Sequence, residues 1–255
     1  MLYKSATPMK LNNVLLLGKQ CFNMNVVITG ASRGIGKAVA AAYAAEGATL
    51  FLCARNELVL YNTVAELQTK FPNCTIKAKA FDLSIKEQAQ KFGAWVLSFG
   101  VPSILVNNAG QFLPGNISTE EDGILEHTIA ANLYSAYHLT RVLIGKMIEA
   151  KQGHIFNICS IASLQAYKNG GSYSISKFAL MGFSKNLREE LKPFNIKVTS
   201  VYPGAVMTDS WAGFDNSAGR IMEADDIAKM IVAASKLSPQ AVVEDIILRP
   251  QLGDL

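Results

Sequence analysis

Short apolar runs alternate with longer mixed segments along most of the chain. Each run has the length of one strand, and the segments between the runs are long enough to hold a helix. The seven runs are Met24–Ile28, Thr49–Cys53, Thr75–Ala80, Ile104–Val106, His154–Cys159, Ile196–Val201 and Val242–Leu248. Strands that alternate with helices in this way predict a parallel sheet that is covered by helices on both faces.

The segments that follow the first strands have helical patterns. Ile35–Glu46 is alanine-rich and is followed by Gly47, a residue type that commonly closes helices. The next helices that the pattern predicts are Glu57–Lys70 and Ser84–Ser98. With right-handed crossovers, these elements give an α/β fold with a Rossmann-like, doubly wound, parallel seven-stranded sheet. Met207–Ile221 is a long irregular stretch, and we interpret it as a lid.

Length and composition predict a single folded domain. The chain has 255 residues with 50% hydrophobic content, which is enough for one sizeable core, and no repeat or linker divides it. We expect that domain to cover residues 24–255. Residues 1–23 precede the first strand as an N-terminal extension, and two interpretations of them stay open. They are either the product of a start assigned too far upstream, with Met24 as the true start, or a tail that packs on the surface or on a partner subunit.

Charge and cysteine usage exclude several classes of function. The net charge of +4 comes from 24 basic and 20 acidic side chains that are scattered without basic blocks, so we expect no nucleic-acid partner. Apolar runs are too short to cross a bilayer, and the widely spaced cysteines indicate a reducing compartment, so we expect a cytoplasmic protein without a membrane partner. No carboxylate or cysteine accompanies His127, His138 and His154 at ligand spacing, so we expect no metal.

A glycine-rich turn follows the first strand. The sequence from Thr29 to Gly36 reads TGASRGIG. Glycines let the backbone approach a pyrophosphate, and the start of the following helix offers free N–H groups. The turn residues that would bind a dinucleotide are Gly30, Ser32, Arg33, Gly34, Ile35 and Gly36. Similar turns join strands to helices in proteins that bind nothing, so the turn by itself leaves both interpretations open.

The end of the second strand lacks the carboxylate that NAD sites usually place there. The sequence at this point is Cys53-Ala54-Arg55-Asn56. Arg55, together with Arg33 in the glycine turn, would bind a 2′-phosphate, so NADP(H) is favoured over NAD. The alternative is that both arginines are solvated surface residues.

Two further loops belong to the same predicted crevice. Asp82 and Leu83 end the third strand, where Asp82 would accept a hydrogen bond from an adenine or cap the next helix. Asn108, Ala109 and Gly110 follow the fourth strand and bring small residues and amide groups to the crevice. Their alternative role is a turn stabilised by asparagine hydrogen bonds.

Tyr173 and Lys177 are four residues apart, thirteen and more residues after Ser160. On a helix they project from one face, so the Lys177 ammonium would favour the ionised form of the Tyr173 phenol. A phenol in that position can exchange protons near neutral pH. The three residues therefore indicate carbonyl chemistry that depends on a nicotinamide.

Taken in order, these motifs resemble the short-chain dehydrogenase/reductase superfamily over Met24–Leu255. The matching features are TGASRGIG, NNAG, Asn132, Ser160, Tyr173-xxx-Lys177 and Pro203-Gly204. The resemblance implies one dinucleotide-binding catalytic domain that reduces the carbonyl of a small molecule. It also implies assembly into a homodimer or homotetramer through helices around Leu125–Met147 and Tyr173–Leu191.

The resemblance also assigns roles to individual residues. Tyr173 would donate a proton to the substrate oxygen, and Ser160 would hydrogen-bond that oxygen. Lys177 would bind the nicotinamide ribose, and Asn132 would hold a water that relays protons. The segment that would wrap the nicotinamide contributes Pro203, Gly204, Val206 and Thr208.

The substrate is less strongly indicated. The C-terminal stretch resembles a bacterial sepiapterin-reductase-like branch, in which Trp211 and Tyr167 would supply flat apolar surface for a pterin. Trp211 would equally serve to anchor the lid by burying itself. A hypothesis of a different class is an NADP-binding sensor or scaffold without turnover, against which the intact Ser160, Tyr173 and Lys177 argue.

Overall fold

The computed structural model describes residues 24–211 and 213–254. The predicted extension at residues 1–23 lies outside these ranges. Seven strands form one parallel sheet. They are β1 (Asn25–Thr29), β2 (Thr49–Ala54), β3 (Ile76–Ala80), β4 (Ile104–Asn107), β5 (Gly153–Ile158), β6 (Ile196–Pro203) and β7 (Asp245–Leu248).

Seven α-helices of the described residues lie in the connections between the strands. They are α1 (Gly34–Ala45), α2 (Glu57–Lys70), α3 (Lys86–Leu97), α4 (Ile124–Ile129), α5 (Ser135–Ala150), α6 (Gly171–Leu191) and α7 (Ala224–Ser235). A π-helical turn at Ala130–Tyr134 joins α4 to α5 without a break. Short 3₁₀ turns occupy Ile161–Ser163, Lys192–Phe194 and Asp209–Trp211.

Both faces of the sheet are buried. Alternate side chains of each strand point to opposite faces, so each strand contributes to two cores. Val26 and Ile28 of β1 belong to one core, which contains residues of α1, α2 and α7. Val27, between them, belongs to the second core, which contains residues of α3, α5 and α6. Two helical layers therefore cover the sheet, as the near-continuous apolar strands predict.

Strand order places the functional loops together. The order is β3-β2-β1-β4-β5-β6-β7, so the chain reverses its direction of winding between β1 and β4. All pairs are parallel, and the loops that follow the strands leave the sheet at one edge. Ligand crevices of open α/β sheets lie at this edge, beside the reversal point. The predicted doubly wound architecture is confirmed.

Two elements start two or more residues later than predicted. α3 begins at Lys86 instead of Ser84, because the Asp82 carboxylate accepts hydrogen bonds from the N–H group and the hydroxyl of Ser84 and holds that residue in a turn. β7 begins at Asp245 instead of Val242. The preceding Val243 carbonyl accepts a hydrogen bond from the Thr199 hydroxyl at 2.6 Å.

Candidate active site

A cavity of about 660 Å³ lies at the carboxyl edge of the sheet. The loops after β1 to β6 all contribute to its walls. It reaches from Arg55 and Asp82 at one end to Tyr173 and Lys177 at the other. Of the residues predicted from the sequence, the following line it: Gly30, Ser32, Arg33, Gly34, Ile35, Arg55, Asp82, Leu83, Asn108, Ala109, Gly110, Ser160, Tyr167, Tyr173, Lys177, Pro203, Gly204, Val206, Thr208 and Trp211.

Gly36 and Asn132 lie behind the wall of the cavity and support it. A side chain at Gly36 has no room, because a Cβ there would lie 2.6 Å from Asn108 Nδ2. Asn108 Nδ2 donates to the carbonyls of Thr29 and Gly30, at 3.0 and 3.1 Å. These bonds tie the loop after β4 to the glycine turn. Asn108 therefore stabilises the turn, as its alternative interpretation predicts, and it also lines the cavity.

The start of α1 presents uncapped backbone donors at the glycine turn. Arg33 occupies the N-cap position without a side-chain hydrogen bond to the helix, and the first turn contains no acidic residue. Gly34 has a φ of +52°, and a Cβ there would approach Thr208 Cγ2 to 3.1 Å. The turn thus leaves N–H groups, the positive end of the helix dipole and space for an anionic group.

Two arginines lie at the end of the cavity next to β2. Arg55 is exposed, and Arg33 forms an ion pair with Asp209 of the 209–211 turn. Asp209 also lines the cavity. Its contact with Arg33 could not be predicted from the sequence, because Asp209 follows β6 and Arg33 follows β1.

Asp82 and Leu83 lie in the loop after β3. The Asp82 carboxylate accepts from Ser84 N at 3.0 Å and Ser84 Oγ at 2.6 Å. The alternative in which Asp82 caps α3 is wrong, because Ile85 is the N-cap residue and no side chain caps the helix there. Leu83 is buried, and it forms an apolar part of the cavity wall.

The opposite end of the cavity brings together the three residues with potential chemistry. Ser160 follows β5, and its hydroxyl accepts a hydrogen bond from Ala162 N at 3.1 Å. Tyr173 and Lys177 lie on the first two turns of α6. Lys177 is buried, its Nζ donates to the Ile158 carbonyl at 2.9 Å, and Nζ lies 5.8 Å from the centre of the Tyr173 ring.

The pKa values at this end follow mainly from burial. Burial raises the pKa of Tyr173 to about 12, and a hydrogen bond with Ser160 opposes the rise only in part. Burial lowers the pKa of Lys177 to about 8. The prediction that Lys177 makes the Tyr173 phenol ionise near neutral pH is therefore wrong for the polypeptide itself. Burial therefore favours the protonated phenol of Tyr173 and the neutral amine of Lys177.

Asn132 lies in the π-helical turn, where its side chain is fully buried. Its Oδ1 accepts from Gln111 N at 2.7 Å, and its Nδ2 donates to Gln111 O at 3.0 Å and to Ser176 Oγ at 2.9 Å. Ser176 Oγ in turn donates to the Tyr173 carbonyl at 2.7 Å. Asn132 therefore connects the loop after β4 with α6, and it does so from a π turn, a distortion that often occurs at functional sites.

Phe112 is a cavity residue that the sequence motifs did not indicate. Its ring meets Tyr173 edge to face, with 4.8 Å between the ring centres. It follows the NNAG motif by two positions, and that position was the only available signal. Gln111 and Gln165 also line this part of the cavity.

Trp211 is half-buried on the rim of the cavity. Its indole meets Phe214 edge to face at 5.3 Å, so it packs within its own segment as well as facing the cavity. The ends of the 207–221 segment are tied together, because Met207 N donates to Met222 O at 2.7 Å. The segment is irregular, as predicted, apart from the turn at Asp209–Trp211.

Two kinds of feature are absent from the described residues. Among residues 24–211 and 213–254, no group of three or more side chains is arranged to hold a metal ion. No helix within those same ranges has the length and apolar character needed to cross a membrane.

Comparisons with known proteins agree with this geometry. The short chain dehydrogenase family model matches residues 24–218. Sepiapterin reductase of Chlorobaculum tepidum is 33% identical over 240 residues, which cover 90% of this chain and 97% of that protein. An uncharacterized oxidoreductase of Staphylococcus aureus strain USA300 is 31% identical over 229 residues, with coverage of 88% and 96%.

Solved structures show the same fold. A metagenomic short-chain oxidoreductase in complex with NADP superposes with a TM-score of 0.79 at 32% identity, covering 90% of this chain and 97% of that one. An alcohol dehydrogenase from Thermococcus sibiricus, complexed with 5-hydroxy-NADP, gives a TM-score of 0.82 at 26% identity, with coverage of 89% and 97%. The glycine turn, the serine, tyrosine and lysine at one cavity end and the family match over residues 24–218 together establish that this chain belongs to the short-chain dehydrogenase family.

Proposed function

We propose that the protein is an NADP(H)-dependent oxidoreductase that reduces the carbonyl group of a small molecule. The observation that carries this proposal is one continuous cavity with a glycine turn and two arginines at one end and Ser160, Tyr173 and Lys177 at the other. NADP-bound solved structures of similar proteins support the choice of cofactor.

The residues of the cavity fit such a cofactor. Uncapped N–H groups at the start of α1 suit a pyrophosphate, and the lack of a side chain at Gly34, on the cavity wall, suits its close approach. Arg33 and Arg55 would hold the 2′-phosphate by charge-assisted hydrogen bonds. Asp82, Leu83, Asn108, Ala109 and Gly110 would lie along the adenosine, and Pro203, Gly204, Val206 and Thr208 along the nicotinamide.

Bound NADPH would supply the hydride. The chain would supply the proton: Tyr173, whose raised pKa keeps it protonated, would donate its phenolic proton to the substrate oxygen. The Ser160 hydroxyl would hydrogen-bond that oxygen and hold it beside the phenol. Lys177, when protonated, would stabilise the phenolate that forms and would hold the nicotinamide ribose. Asn132, behind Lys177 and Gly110, would hold a water that relays protons to the solvent.

A second, narrower candidate is reduction of the side-chain ketone of sepiapterin. Two observations favour it: the 33% identity to sepiapterin reductase of Chlorobaculum tepidum, and the aromatic residues Tyr167 and Trp211 on the cavity wall. Flat apolar side chains suit a pterin ring. Phe112, beside Tyr173, adds a third aromatic surface.

We also infer that residues 24–255 act as one catalytic domain in a cytoplasmic homodimer or homotetramer. Exposed apolar side chains on α4, α5, α6 and the π turn support assembly through this part of the chain; they are Leu125, Tyr134, Tyr137, Ile175 and Phe178. Free, buried thiols at Cys53, Cys74 and Cys159 agree with a reducing compartment. Light scattering after size-exclusion chromatography would give the mass of the assembly.

The test is NADPH oxidation, with NADH in parallel, against sepiapterin, butane-2,3-dione, a 3-oxoacyl ester and a sugar ketone. Preference for sepiapterin supports the narrower candidate, and activity spread over diketones supports a general carbonyl reductase. Replacement Tyr173→Phe is expected to lower turnover by roughly 10²- to 10⁴-fold, the size of a lost general acid, with NADPH binding retained. Unchanged turnover in that variant refutes the mechanism. NADPH binding without turnover of any compound leaves the sensor hypothesis.

A further inference from the structure

The helix that carries Tyr173 and Lys177 begins without a cap from its own flanking residues. α6 starts at Gly171, and its N-cap residue is Gly170, which has no side chain to offer. The first N–H groups of a helix have no partner within the helix. The alignment of Tyr173, in the first turn, therefore depends on whatever binds these groups.

Glu120, from a distant part of the chain, binds one of these groups, the N–H of Ser172. Its Oε1 accepts a hydrogen bond from Ser172 N at 2.9 Å, and its Oε2 accepts one from the Ser172 hydroxyl. Ser172 is 2% exposed and directly precedes Tyr173. A carboxylate at this position is also stabilised by the positive end of the helix dipole.

Two glycines leave room for this carboxylate. Gly171 has a φ of +35°, and a Cβ at this position would overlap Glu120 Oε1. A Cβ at Gly115 would lie 2.9 Å from Glu120 Cγ. Gly115 N also donates to the Asn169 carbonyl at 3.0 Å, so the backbone on both sides of the carboxylate is held together.

The same loop is fixed at its other end beside the catalytic residues. Gln111 exchanges two backbone hydrogen bonds with the Asn132 side chain. Between these attachments, Phe112 lies edge to face against Tyr173. Residues 111–120 therefore connect Asn132 to Ser172. Within this loop the Phe112 ring packs against the phenol of Tyr173.

We propose that Glu120 is a positioning residue for Tyr173, acting through its paired hydrogen bonds to Ser172. The proposal rests on the proposed function of Tyr173 as the proton donor. Glu120 does not line the cavity, so it acts through Ser172 and the start of α6. A small displacement of a proton donor is costly, since about 1 Å of misplacement can lower a rate on the order of 10²-fold.

The test compares Glu120→Ala, Glu120→Gln and Ser172→Ala with Glu121→Ala, a neighbouring exposed glutamate, as the matched control. The probes are NADPH with butane-2,3-dione and NADPH with sepiapterin. Glu120→Ala is expected to lower kcat roughly 10- to 100-fold while the Kd for NADPH stays within about twofold. Glu120→Gln is expected to retain kcat within about threefold, since its amide can still accept from Ser172 N and donate to Ser172 Oγ.

A double variant and a second readout complete the test. Glu120→Ala combined with Ser172→Ala is expected to be no slower than Glu120→Ala alone, because both changes remove one interaction. Amide hydrogen exchange over residues 171–178 is expected to accelerate in Glu120→Ala and not in Glu121→Ala. If Glu120→Ala does not fold, Ser172→Ala carries the comparison: it removes the hydroxyl that Glu120 Oε2 binds, and it is expected to lower kcat relative to Glu121→Ala without a change in the Kd for NADPH.

Wild-type kcat in Glu120→Ala would overturn the proposal. An equal loss of kcat and NADPH affinity would also overturn it, because that result marks a general loosening of the domain. If the wild-type protein reduces none of the carbonyl compounds, the proposed function fails. The exchange measurement then still decides whether Glu120 fixes the start of α6.

Discussion

Arg33 and Asp209 form an ion pair that joins the glycine turn to the 207–221 segment. The two residues are 176 positions apart in the chain, and both side chains are more than half exposed. Arg33 is also one of the two arginines that we propose to bind the 2′-phosphate. If Arg33 binds the 2′-phosphate as proposed, the carboxylate of Asp209 would compete with the cofactor for the same guanidinium.

Replacement Asp209→Asn is expected to tighten NADPH binding about two- to fivefold, because an exposed ion pair is worth about 0–1 kcal/mol and Arg33 would no longer be shared. NADH lacks the 2′-phosphate, so its Kd is expected to stay the same. Fluorescence titration at low salt measures both constants. Asp215→Asn is the control, since Asp215 is exposed on the same segment and accepts from Ser217 N at 2.8 Å instead of binding Arg33. Weaker NADPH binding in Asp209→Asn would contradict the competition.

Replacement Arg55→Asp is expected to shift preference from NADPH towards NADH. It removes a charge-assisted hydrogen bond of about 1.5–3 kcal/mol, so kcat/KM for NADPH should fall roughly 10- to 100-fold. The new carboxylate would lie at or beside the ribose 2′ position, which favours NADH in relative terms. Steady-state rates with each cofactor give the ratio. Lys91→Asp, an exposed cation on α3 outside the cavity, should leave that ratio unchanged.

The rate of carbonyl reduction is expected to fall as pH rises through about 8. The pKa of Lys177 is lowered to about 8, so its stabilising charge is present below that pH and lost above it. Tyr173 stays protonated over the same range, because its pKa is raised to about 12. A pH profile of kcat from 6 to 10 measures the fall. A flat profile over this range would argue against a role for the Lys177 charge.

His154 is expected to make the fold sensitive to acid. It is buried in β5, its Nε2 lies 2.7 Å from Thr199 Oγ1, and its ring stacks on Phe156. Burial, with the nearby charge of Lys197 in addition, lowers its pKa to about 3. Between about pH 6.5 and 3 the unfolded chain binds a proton that the folded chain does not bind. The contribution of His154 to the free energy of unfolding is therefore complete above pH 6.5. Below that pH it falls by roughly 1.4 kcal/mol per pH unit, the value for one proton.

Urea unfolding at pH 7 and pH 4.5 measures this loss. His154→Phe is expected to lower stability at both pH values but to reduce the difference between them. His127→Phe, at an exposed position, serves as the control and should keep the wild-type difference. An unchanged difference in His154→Phe would assign the acid sensitivity to other groups.

The alternation of apolar runs predicts all seven strands and the sheet they form, because both faces of a parallel sheet are buried and leave a strong signal. The start of α3 was not predictable to the residue. It depends on which groups the Asp82 carboxylate binds, and capping of the helix and a turn at Ser84 look alike in sequence. The π-helical turn at Asn132 also has no periodic signature.

The cavity residues were predictable where a motif names them and not where tertiary contacts create them. Ser160, Tyr173 and Lys177 belong to a recognisable spacing and line the cavity together. Phe112 and Glu120 lie in a loop whose sequence shows neither the aromatic contact with Tyr173 nor the contact with Ser172. The spacing of Tyr173 and Lys177 does not reveal the raised pKa of Tyr173, because burial is a property of the assembled fold. The effect of burial on this pKa is larger than the opposite effect expected from the Lys177 charge.

The π-helical turn at Ala130–Tyr134 gives this part of the chain one residue that it can lose. A π turn holds one residue more than the corresponding α-helical turn. Deleting one residue there would restore an unbroken α-helix and leave everything beyond it in its present register. Leu139 and Leu143 would still face the sheet. A deletion in this turn would therefore preserve the packing of α5, whereas a deletion within α5 itself would rotate the residues beyond it by about 100°.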